Sequence, residues 1–184
     1  MAKKRGMSRR DFFRNTWLAS MGLSLGGFGG ASLAFLWPTL RGGFGSKIEL
    51  GRVDDLKREL ETLPGKMKYY AEARCYLLLY DGDGADNTYK GFATEGLLAV
   101  YQKCAHLGCR VPFCETSRWL ECPCHGSRYN KAGEYKFGPA PRGLDHFPIT
   151  VSGGGTVTVD TAVPGAPAPR GIDTIGQEPE GPHC

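Results

Sequence analysis

The sequence predicts an all-β protein, with one small antiparallel β domain that follows a single N-terminal transmembrane helix. Three observations support this prediction. The chain has 184 residues, enough for one modest globular domain with accessory segments. A long uncharged run lies near the N-terminus. Short β-prone runs separated by turn residues fill the middle of the chain.

Positive charge is concentrated at the N-terminus. The first 14 residues hold six basic side chains and one acidic side chain, a net of +5. The whole chain is +4, so the remainder is close to neutral, at −1. A protein that binds nucleic acid needs a basic surface to neutralise phosphates. The charge distribution therefore argues against a nucleic-acid partner.

The uncharged run extends from Asn15 through Leu40. A helix needs about 20 mainly apolar residues to cross a bilayer, and this run is longer. Its central part, GLSLGGFGGA, contains too many glycines for a good helix in a soluble core. We predict a basic cytoplasmic segment over residues 1–15 and a transmembrane helix over residues 16–40, because basic residues mark the cytoplasmic end of a span.

Arg9 and Arg10, in MSRRDFFRN, resemble the twin-arginine export signal, which carries folded proteins. A simple positive-inside flank is the alternative. Cleavage near Ser32-Leu33-Ala34 is a second alternative, and we expect an uncleaved anchor. The export signal and the positive-inside flank both place the domain on the outer, periplasmic side of a bacterial cytoplasmic membrane. A thylakoid membrane is the other candidate.

The rest of the chain divides by composition. Residues 41–47 are rich in glycine and are predicted to be a hinge, and residues 48–160 form the predicted head domain. Leucines at helical spacing predict one short helix over residues 53–63. The tail, residues 161–184, is rich in proline and is expected to be extended or disordered. No internal repeat is evident.

Strand and turn signals alternate through the head. The predicted strands are CYLLLY, GLLAVYQ, RWLEC, FPITV and TVTVD. The turns between them include DGDGADN, KAGEY and SGGG. This pattern is typical of a small antiparallel β domain. The acidic turn lacks the closing glutamate of a calcium loop, so it is predicted to be a solvated turn.

Two short stretches, KCAHLGCR and ECPCHGSRYN, concentrate cysteine and histidine. Cys104 with His106, and Cys122 with His125, supply two thiolates and two imidazoles that can enclose a metal centre. A structural zinc site is the simplest alternative, because Cys₂His₂ is a common zinc set. Zinc would leave two further cysteines unexplained, and a cysteine pair in an exported domain can form a disulfide.

CAHLGC and CPCHGS resemble the two cluster-binding motifs of the Rieske iron-sulfur proteins of cytochrome bc-type complexes. The resemblance covers roughly residues 48–160, and Ala105, where the family has a threonine, is its one departure within the two motifs. It implies a Rieske-type [2Fe-2S] cofactor in which two histidines replace two cysteines. The implied residues are Cys104 and Cys122 on one iron, His106 and His125 on the other, a disulfide between Cys109 and Cys124, and hydroxyl donors Ser127 and Tyr129. GPAP, at residues 138–141, resembles the proline loop that shields the cluster in this family.

The resemblance also implies a function. The chain would be the electron-transfer subunit of a proton-translocating quinol–cytochrome c or quinol–plastocyanin reductase. It would take one electron from quinol at a cytochrome b subunit, with His125 and His106 as the catalytic contacts, and pass it to a c-type cytochrome. The complex would be a dimeric multi-subunit assembly. The eighteen-residue offset between Cys104 and Cys122 and the VPF that follows the first motif resemble the plastoquinol and menaquinol branch.

Two alternative functions come from other classes. The first is the Rieske small subunit of an exported molybdenum oxidase of the arsenite oxidase type, against which the Gly126-Ser127 pair argues. The second is a structural zinc-binding module. Cys75 is expected to be a small buried hydrophobe. With Cys109 paired to Cys124, three cysteines are left over, Cys75, Cys114 and Cys184, and this odd number suggests a free thiol or a link to another chain. His146 is expected at a strand edge and His183 in the tail.

Overall fold

Two compact units make up the protein, Met1–Arg41 and Gly42–Cys184. The structure is a computed structural model that describes residues 7–36, 44–80 and 87–184. The second unit is the head. The acidic turn predicted at residues 81–86 lies outside the described residues.

The N-terminal unit contains one long helix, α1 (Arg9–Leu36). Ser8 precedes it, and its hydroxyl oxygen accepts a hydrogen bond from the Asp11 amide at 3.2 Å, which satisfies a donor that has no partner inside the helix. None of the helix residues is buried, and 28 residues give a length of about 42 Å. By length and composition α1 is able to cross a membrane. It begins earlier than the predicted span of residues 16–40.

Short antiparallel strands build the head, and the predicted fold class is confirmed. They are β1 (Lys47–Arg52), β2 (Met67–Tyr70), β3 (Cys75–Leu79), β4 (Leu97–Tyr101), β5 (Leu120–Glu121), β6 (Arg128–Tyr129), β7 (Tyr135–Phe137), β8 (His146–Phe147), β9 (Ile149–Val151) and β10 (Thr156–Asp160). Three antiparallel sheets have the orders β1-β10-β9, β2-β3-β4-β8 and β5-β6-β7.

The four-stranded sheet separates two apolar clusters. Side chains along a strand point alternately to its two faces, so Leu78 of β3 joins one cluster and Leu77 joins the other. Both faces of β3 and β4 are therefore covered, which explains why these two strands lack polar alternation. The cluster around Leu78 also contains Cys104 and Cys122, and so it forms the floor of the candidate site.

One short helix, α2 (Val53–Thr62), covers the opposite cluster. Leu56 and Leu60 are buried there, and Leu63 is the C-cap residue. Asp54 and Asp55 lie in the first turn, where a negative charge is favoured by the helix dipole. The helix predicted over residues 53–63 is confirmed.

Strands β1, β2, β6 and β7 were not predicted from sequence. β1 is extended because it pairs with β10, more than 100 residues further along the chain. A register shift between Glu49 and Gly51 interrupts that pairing. Non-local pairing of this kind, rather than local composition, makes KIELGR a strand.

Phe44 and Gly45, inside the predicted hinge at residues 41–47, are attached to the head. The Gly45 amide donates to the Thr161 hydroxyl oxygen at 2.8 Å, and the Phe44 ring stacks on the Tyr101 ring with 5.6 Å between centroids. β1 begins immediately afterwards. The hinge residues before Phe44 lie outside the described residues.

The tail contains no helix or strand but is fixed to the head, which corrects the expectation of disorder. The Thr174 hydroxyl donates to a carboxylate oxygen of the buried Glu134 at 2.6 Å. Cys184 forms a disulfide with Cys114, with an S–S distance of 2.08 Å. Side-chain partners and a covalent bond therefore order a segment that has too few apolar residues to order itself.

The same disulfide accounts for two of the three remaining cysteines. Cys114 and Cys184 pair within the chain, which leaves Cys75 as the free thiol that the odd number suggested. Cys75 is free and fully buried at the start of β3, as expected. Burial raises the pKa of its thiol to about 12, so it stays protonated.

His146 is the first residue of β8, the edge strand of the four-stranded sheet, as expected, and its side chain is fully buried. Its Nε2 lies 2.8 Å from the Ala132 carbonyl oxygen, and its Nδ1 lies 2.9 Å from the Ala166 carbonyl oxygen. Burial lowers its pKa to about 4, although both carbonyls favour a protonated ring. A neutral imidazole has one N–H, so it donates to only one of these two carbonyls, at Ala132 or at Ala166.

Candidate metal centre

Three consecutive eight-residue turns form the surface above the four-stranded sheet. Turn 1 is residues 103–110, turn 2 is residues 113–120 and turn 3 is residues 121–128. The first residue of each turn pairs with the eighth: Lys103 with Arg110, Phe113 with Leu120 and Glu121 with Arg128. The three turns therefore share a backbone pattern, although the sequence has no internal repeat.

The three turns share their hydrogen bonds as well. In each turn the amide of a cysteine at the second position donates to the seventh carbonyl at 2.8 Å. The sixth amide donates back to the cysteine carbonyl at 2.9 to 3.1 Å. The sixth residue has a positive φ in every turn: 82° at Gly108, 62° at Arg118 and 72° at Gly126. Glycine adopts this conformation without strain, which explains its presence in turns 1 and 3.

Turns 1 and 3 bring two buried free thiols together. Cys104 and Cys122 are each 3% exposed, and neither is in a disulfide. Burial raises the pKa of Cys122; the Cys124 amide opposes the rise, and the neighbouring Cys104 thiol adds to it. Two adjacent buried thiols ionise together only when a cation compensates their charge, so this pair suits a metal ion.

Two imidazoles lie together beside them. The ring centroids of His106 and His125 are 4.7 Å apart, and the rings are perpendicular. His106 Nδ1 is buried and has no hydrogen-bond partner among the described residues. A buried polar atom without a partner is costly, and ligation of a metal ion removes the cost.

The donors do not fit a single zinc ion. Four ligands of one tetrahedral zinc lie within about 4 Å of one another. Among the described residues, two groups of three ligand atoms lie within 4.8 Å of one another: Cys109 with Cys122 and Cys124, and Cys114 with Glu121 and Cys184. Neither group contains a histidine, and both contain a disulfide. A thiol pair and a separate imidazole pair fit the two irons of a [2Fe-2S] cluster, with two donors for each.

A disulfide joins turns 1 and 3. Cys109 and Cys124 are bonded with an S–S distance of 2.13 Å. Cys122 Sγ lies within 4.8 Å of both of these sulfur atoms. The covalent bond therefore lies directly beside the thiol pair and holds together the two turns that carry the four donors.

Two buried hydroxyl groups lie in turn 3 and directly after it, at Ser127 and Tyr129. The Tyr129 hydroxyl is 3.2 Å from Cys104 Sγ, and the side chain is fully buried. Burial raises the pKa of Tyr129, so its hydroxyl keeps the proton that it can donate to a thiolate. Ser127 is also fully buried, and its Oγ accepts a hydrogen bond from the Ala140 amide at 3.1 Å, which leaves the hydroxyl proton free to be donated elsewhere.

The outer edge of the site is exposed. Leu107, beside His106, is 70% exposed, which is unusual for a large apolar side chain in a turn. A depression of about 420 Å³ adjoins it, lined on one side by His106 and Leu107 and on the other by Arg142 and Asp145. Arg142 pairs with Asp145 at 2.8 Å. The histidine edge is thus open to a docking partner, whereas the cysteine edge is buried.

Comparison with known proteins identifies the family. The family model described as "Rieske [2Fe-2S] domain" matches residues 49–148, more than half of the chain. The chain belongs to the Rieske [2Fe-2S] family. The predictions of family and cofactor are confirmed, and the head is a Rieske domain.

Named relatives extend the match beyond the head. A cytochrome b6-f complex iron-sulfur subunit of Synechococcus sp. (strain JA-3-3Ab) is 33% identical over 80% of this chain and 84% of its own length. The same subunit from Synechococcus sp. (strain WH7803) is 31% identical over 76% and 77%. Among solved structures, a chain of a hyperthermophilic respiratory complex III is 22% identical, with a TM-score of 0.46 over 79% of this chain and 97% of its own length.

Sequence reasoning missed residues that hold the proline loop, residues 138–141. Gly138 has a φ of 99°, and a Cβ added there would lie 2.5 Å from Ser127 Cα and 2.8 Å from the Gly126 carbonyl oxygen. Only glycine allows this contact between the loop and turn 3. The glycine before a proline was visible in the sequence, but Arg170, which binds the loop from the tail, gave no local signal.

Proposed function

We propose that this protein is the electron-transfer subunit of a quinol-oxidising cytochrome bc-type complex. It would accept one electron from quinol at a cytochrome b subunit and pass it to a c-type cytochrome. The observation that carries the proposal is the alignment of two cytochrome b6-f iron-sulfur subunits with about three quarters of the chain, together with the donor set of the Rieske domain. Such a complex is an oxidoreductase, and we expect it to be dimeric.

Four side chains would hold the cofactor. Cys104 and Cys122 would bind one iron, and His106 and His125 the other. When bound, a cluster with two neutral histidine ligands supplies a one-electron acceptor of high potential, because the histidines leave it less negative than four thiolates do. The unpartnered Nδ1 of His106 is the atom that supports ligation on the histidine side.

The histidines would also handle the proton of quinol. A ligating histidine has a second ring nitrogen that can accept a hydrogen bond from a quinol hydroxyl and then hold its proton. His125 is exposed at the outer edge, so it is the proposed contact. The exposed Leu107 would supply an apolar contact with the cytochrome b subunit beside it. Uptake of an electron and a proton at one place is what quinol oxidation requires.

Ser127 and Tyr129 would raise the potential of the site. A hydroxyl that donates to a sulfur atom binds more strongly when the sulfur carries more negative charge, so it favours the reduced state. Tyr129 faces Cys104 Sγ at 3.2 Å, and the Ser127 hydroxyl, whose oxygen accepts from the Ala140 amide, also contacts the Tyr129 hydroxyl. One kcal/mol of preference for the reduced state corresponds to roughly 40 mV for one electron.

Helix α1 is the proposed anchor. The basic residues before it would keep the N-terminus in the cytoplasm and place the Rieske domain on the outer side of the membrane. The proposed hinge is the glycine-rich segment of residues 41–47; Phe44 and Gly45 within it pack on the head, and residues 41–43 lie outside the described residues. Rotation there would carry the head between quinol and cytochrome as a rigid body.

Purification of the native complex tests this function. Solubilised membranes are passed over an antibody against the head, and the eluate is assayed for haem b, haem c, molybdenum, iron and quinol–cytochrome c reductase activity. We expect both haems, the paramagnetic signal of a reduced Rieske cluster, and turnover. Molybdenum without haem would identify an exported molybdenum oxidase instead, and zinc without iron would contradict any electron-transfer function.

A further inference from the structure

Arg170 connects the tail to the proline loop. Its Nε donates to the Ala140 carbonyl oxygen at 2.9 Å, and its Nη2 donates to the carbonyl oxygens of Ala140 and Gly138, the latter at 3.2 Å. The guanidinium lies over the Tyr135 ring, 4.2 Å from its centroid. The Tyr135 hydroxyl donates to the same Gly138 oxygen at 2.6 Å. Two side chains thus hold one loop through its carbonyl groups.

The loop in turn contacts turn 3. The Gly138 backbone packs so closely on Ser127 that no side chain fits between them. The Ala140 amide donates to Ser127 Oγ at 3.1 Å, and this bond is buried. The backbone of Ala140 is therefore held by Arg170 at its carbonyl oxygen and by the Ser127 hydroxyl at its amide.

The Ala140 contact determines where the Ser127 proton can point. When Oγ accepts the Ala140 N–H, that direction is closed to its own hydrogen, which must be donated elsewhere. Movement of the loop would remove the acceptor contact and free the hydroxyl to rotate. Hydrogen bonds that hold the carbonyl groups of the proline loop therefore also influence, through Ala140, the direction of the Ser127 O–H bond.

We propose that Arg170 is a positioning residue, which holds the proline loop against turn 3 and so directs the Ser127 hydroxyl toward the cluster. The planar guanidinium donates to two carbonyls at once, which a lysine cannot do in the same geometry. The tail is the element that delivers this side chain. The proposal rests on the proposed function only in that a reducible cluster must be bound.

Three variants of the full-length protein test the proposal. Arg170→Lys keeps the charge but loses the two-carbonyl geometry, and Arg170→Gln loses both. Arg118→Gln is the matched control, because Arg118 also contacts the tail, pairing with Glu180 at 3.3 Å, but does not touch the loop. The measurements are hydrogen exchange of the Ala140 amide, the reduction potential of the cluster, and the g-values of its reduced state.

Both Arg170 variants are expected to speed exchange of the Ala140 amide about tenfold, which corresponds to loss of one charge-assisted contact. They are also expected to lower the potential and change the g-values, whereas Arg118→Gln matches the parent. If Arg170→Lys equals the parent in potential and exchange while Arg170→Gln alone differs, the residue acts by charge and the positioning role is wrong. Parental values in both variants would also overturn it.

The amide-exchange measurement separates this inference from the function. It reports the loop whether or not the complex oxidises quinol, so a failed reductase assay leaves the exchange result intact. Conversely, an unchanged loop in the Arg170 variants leaves electron transfer through the four ligands standing.

Discussion

Turn 2 has the same backbone hydrogen bonds as turns 1 and 3, which we call the donor turns, but its cysteine is in a disulfide. All three place a cysteine at the second position under the same pair of backbone hydrogen bonds. In turns 1 and 3 that cysteine is a free buried thiol, whereas in turn 2 it is Cys114, bonded to the tail. The same turn backbone therefore presents a sulfur atom that is a free thiol in turns 1 and 3 and part of a disulfide in turn 2.

The side chains around each cysteine explain the difference. Turns 1 and 3 carry a histidine at the fourth or fifth position, His106 and His125. Turn 2 has Thr116 and Ser117 there, and neither hydroxyl is a good iron ligand. The sixth residue is glycine in the donor turns but Arg118 in turn 2, which accepts a left-handed φ of 62° without the relief that glycine gives. Turn 2 thus retains the geometry of a metal-binding turn and lacks its donors.

Replacement of the second-position cysteine should abolish cluster binding in turns 1 and 3 but not in turn 2, and this is the largest expected difference between the turns. Cys104→Ala or Cys122→Ala is expected to abolish cluster binding, because an iron would lose one of its two protein ligands. Cys114→Ala combined with Cys184→Ala should leave the iron content at the parental level. Iron analysis and visible absorption of the purified proteins measure both effects.

The double variant in turn 2 also controls for misfolding. Its circular dichroism should match the parent, and so should that of the apo parent after removal of iron with a chelator. Loss of iron in the turn 2 variant would mean that all three turns serve the cluster, and the distinction between them would be wrong.

The two disulfides are expected to stabilise the head to different extents. The crosslink between Cys109 and Cys124 spans 15 residues and that between Cys114 and Cys184 spans 70. Loss of loop entropy in the unfolded chain predicts contributions of about 3 and about 4 kcal/mol, respectively. Denaturant unfolding of paired serine variants measures them.

Cluster retention should show the opposite order. Cys109→Ser with Cys124→Ser separates the two donor turns, so iron should be released to a chelator faster than from the parent. Cys114→Ser with Cys184→Ser should unfold more easily yet release iron at the parental rate under native conditions. Equal release from both variants would show that the first disulfide has no special role at the site.

Acid should destabilise the head at His146, which lies outside all three turns. The pKa of His146 is lowered to about 4 in the folded head, against about 6.5 when unfolded, so the unfolded chain binds the proton first as the pH falls. Stability is intact above pH 6.5 and should decline by about 3 kcal/mol as the pH approaches 4. Asp145, its charged neighbour along the chain, partly opposes the shift.

Denaturant unfolding of the parent and of His146→Asn between pH 7 and pH 4 measures this decline. Carboxylates also titrate in this interval, so the informative quantity is the difference between the two proteins. That difference should shrink as the pH falls, and a constant difference would show that His146 does not titrate with unfolding.

Removal of hydroxyl groups beside the cysteines should change the cluster potential near turns 1 and 3 but not near turn 2, and this effect is smaller than the loss of the cluster. Tyr129→Phe and Ser127→Ala should each lower the cluster potential by tens of millivolts, on the basis of roughly 40 mV per kcal/mol. Thr116 is the matched residue in turn 2, since its hydroxyl lies 3.2 Å from Cys114 Sγ. Thr116→Val should leave the potential unchanged in the same redox titration.

The smallest expected effect is at the sixth position of turn 2. Arg118→Gly removes the strain of a left-handed residue, about 1 kcal/mol, but also loses an exposed ion pair and adds freedom to the unfolded chain. The net change in unfolding free energy should be within about 1 kcal/mol, and Gly126→Arg in turn 3 should lose about 1 kcal/mol from backbone strain alone, because an added Cβ there meets no atom within 4 Å. A large loss in Arg118→Gly would show that turn 2 depends on the arginine side chain.

Local patterns predicted the donor turns, the helix α2 and most strands, because their signals lie within a few residues of sequence. Gly108 and Gly126 lie within the two motifs, so the turns that contain them could be predicted from the sequence. Turn 2 was not predicted, because it has the backbone hydrogen bonds of turns 1 and 3 but lacks their histidine and glycine residues. The fixed tail was missed because its order comes from distant partners such as Glu134, which no local composition reveals.

The two disulfides interleave along the chain, since Cys114 lies between Cys109 and Cys124 and its partner lies beyond both. Any single peptide bond cut between residues 109 and 184 is therefore bridged by at least one crosslink. A protease that nicks the oxidised head in this interval leaves one covalent molecule, which separates into fragments on a gel only after reduction. Cys122 and His125 lie inside the interval, so a nicked head keeps them tethered to turn 1.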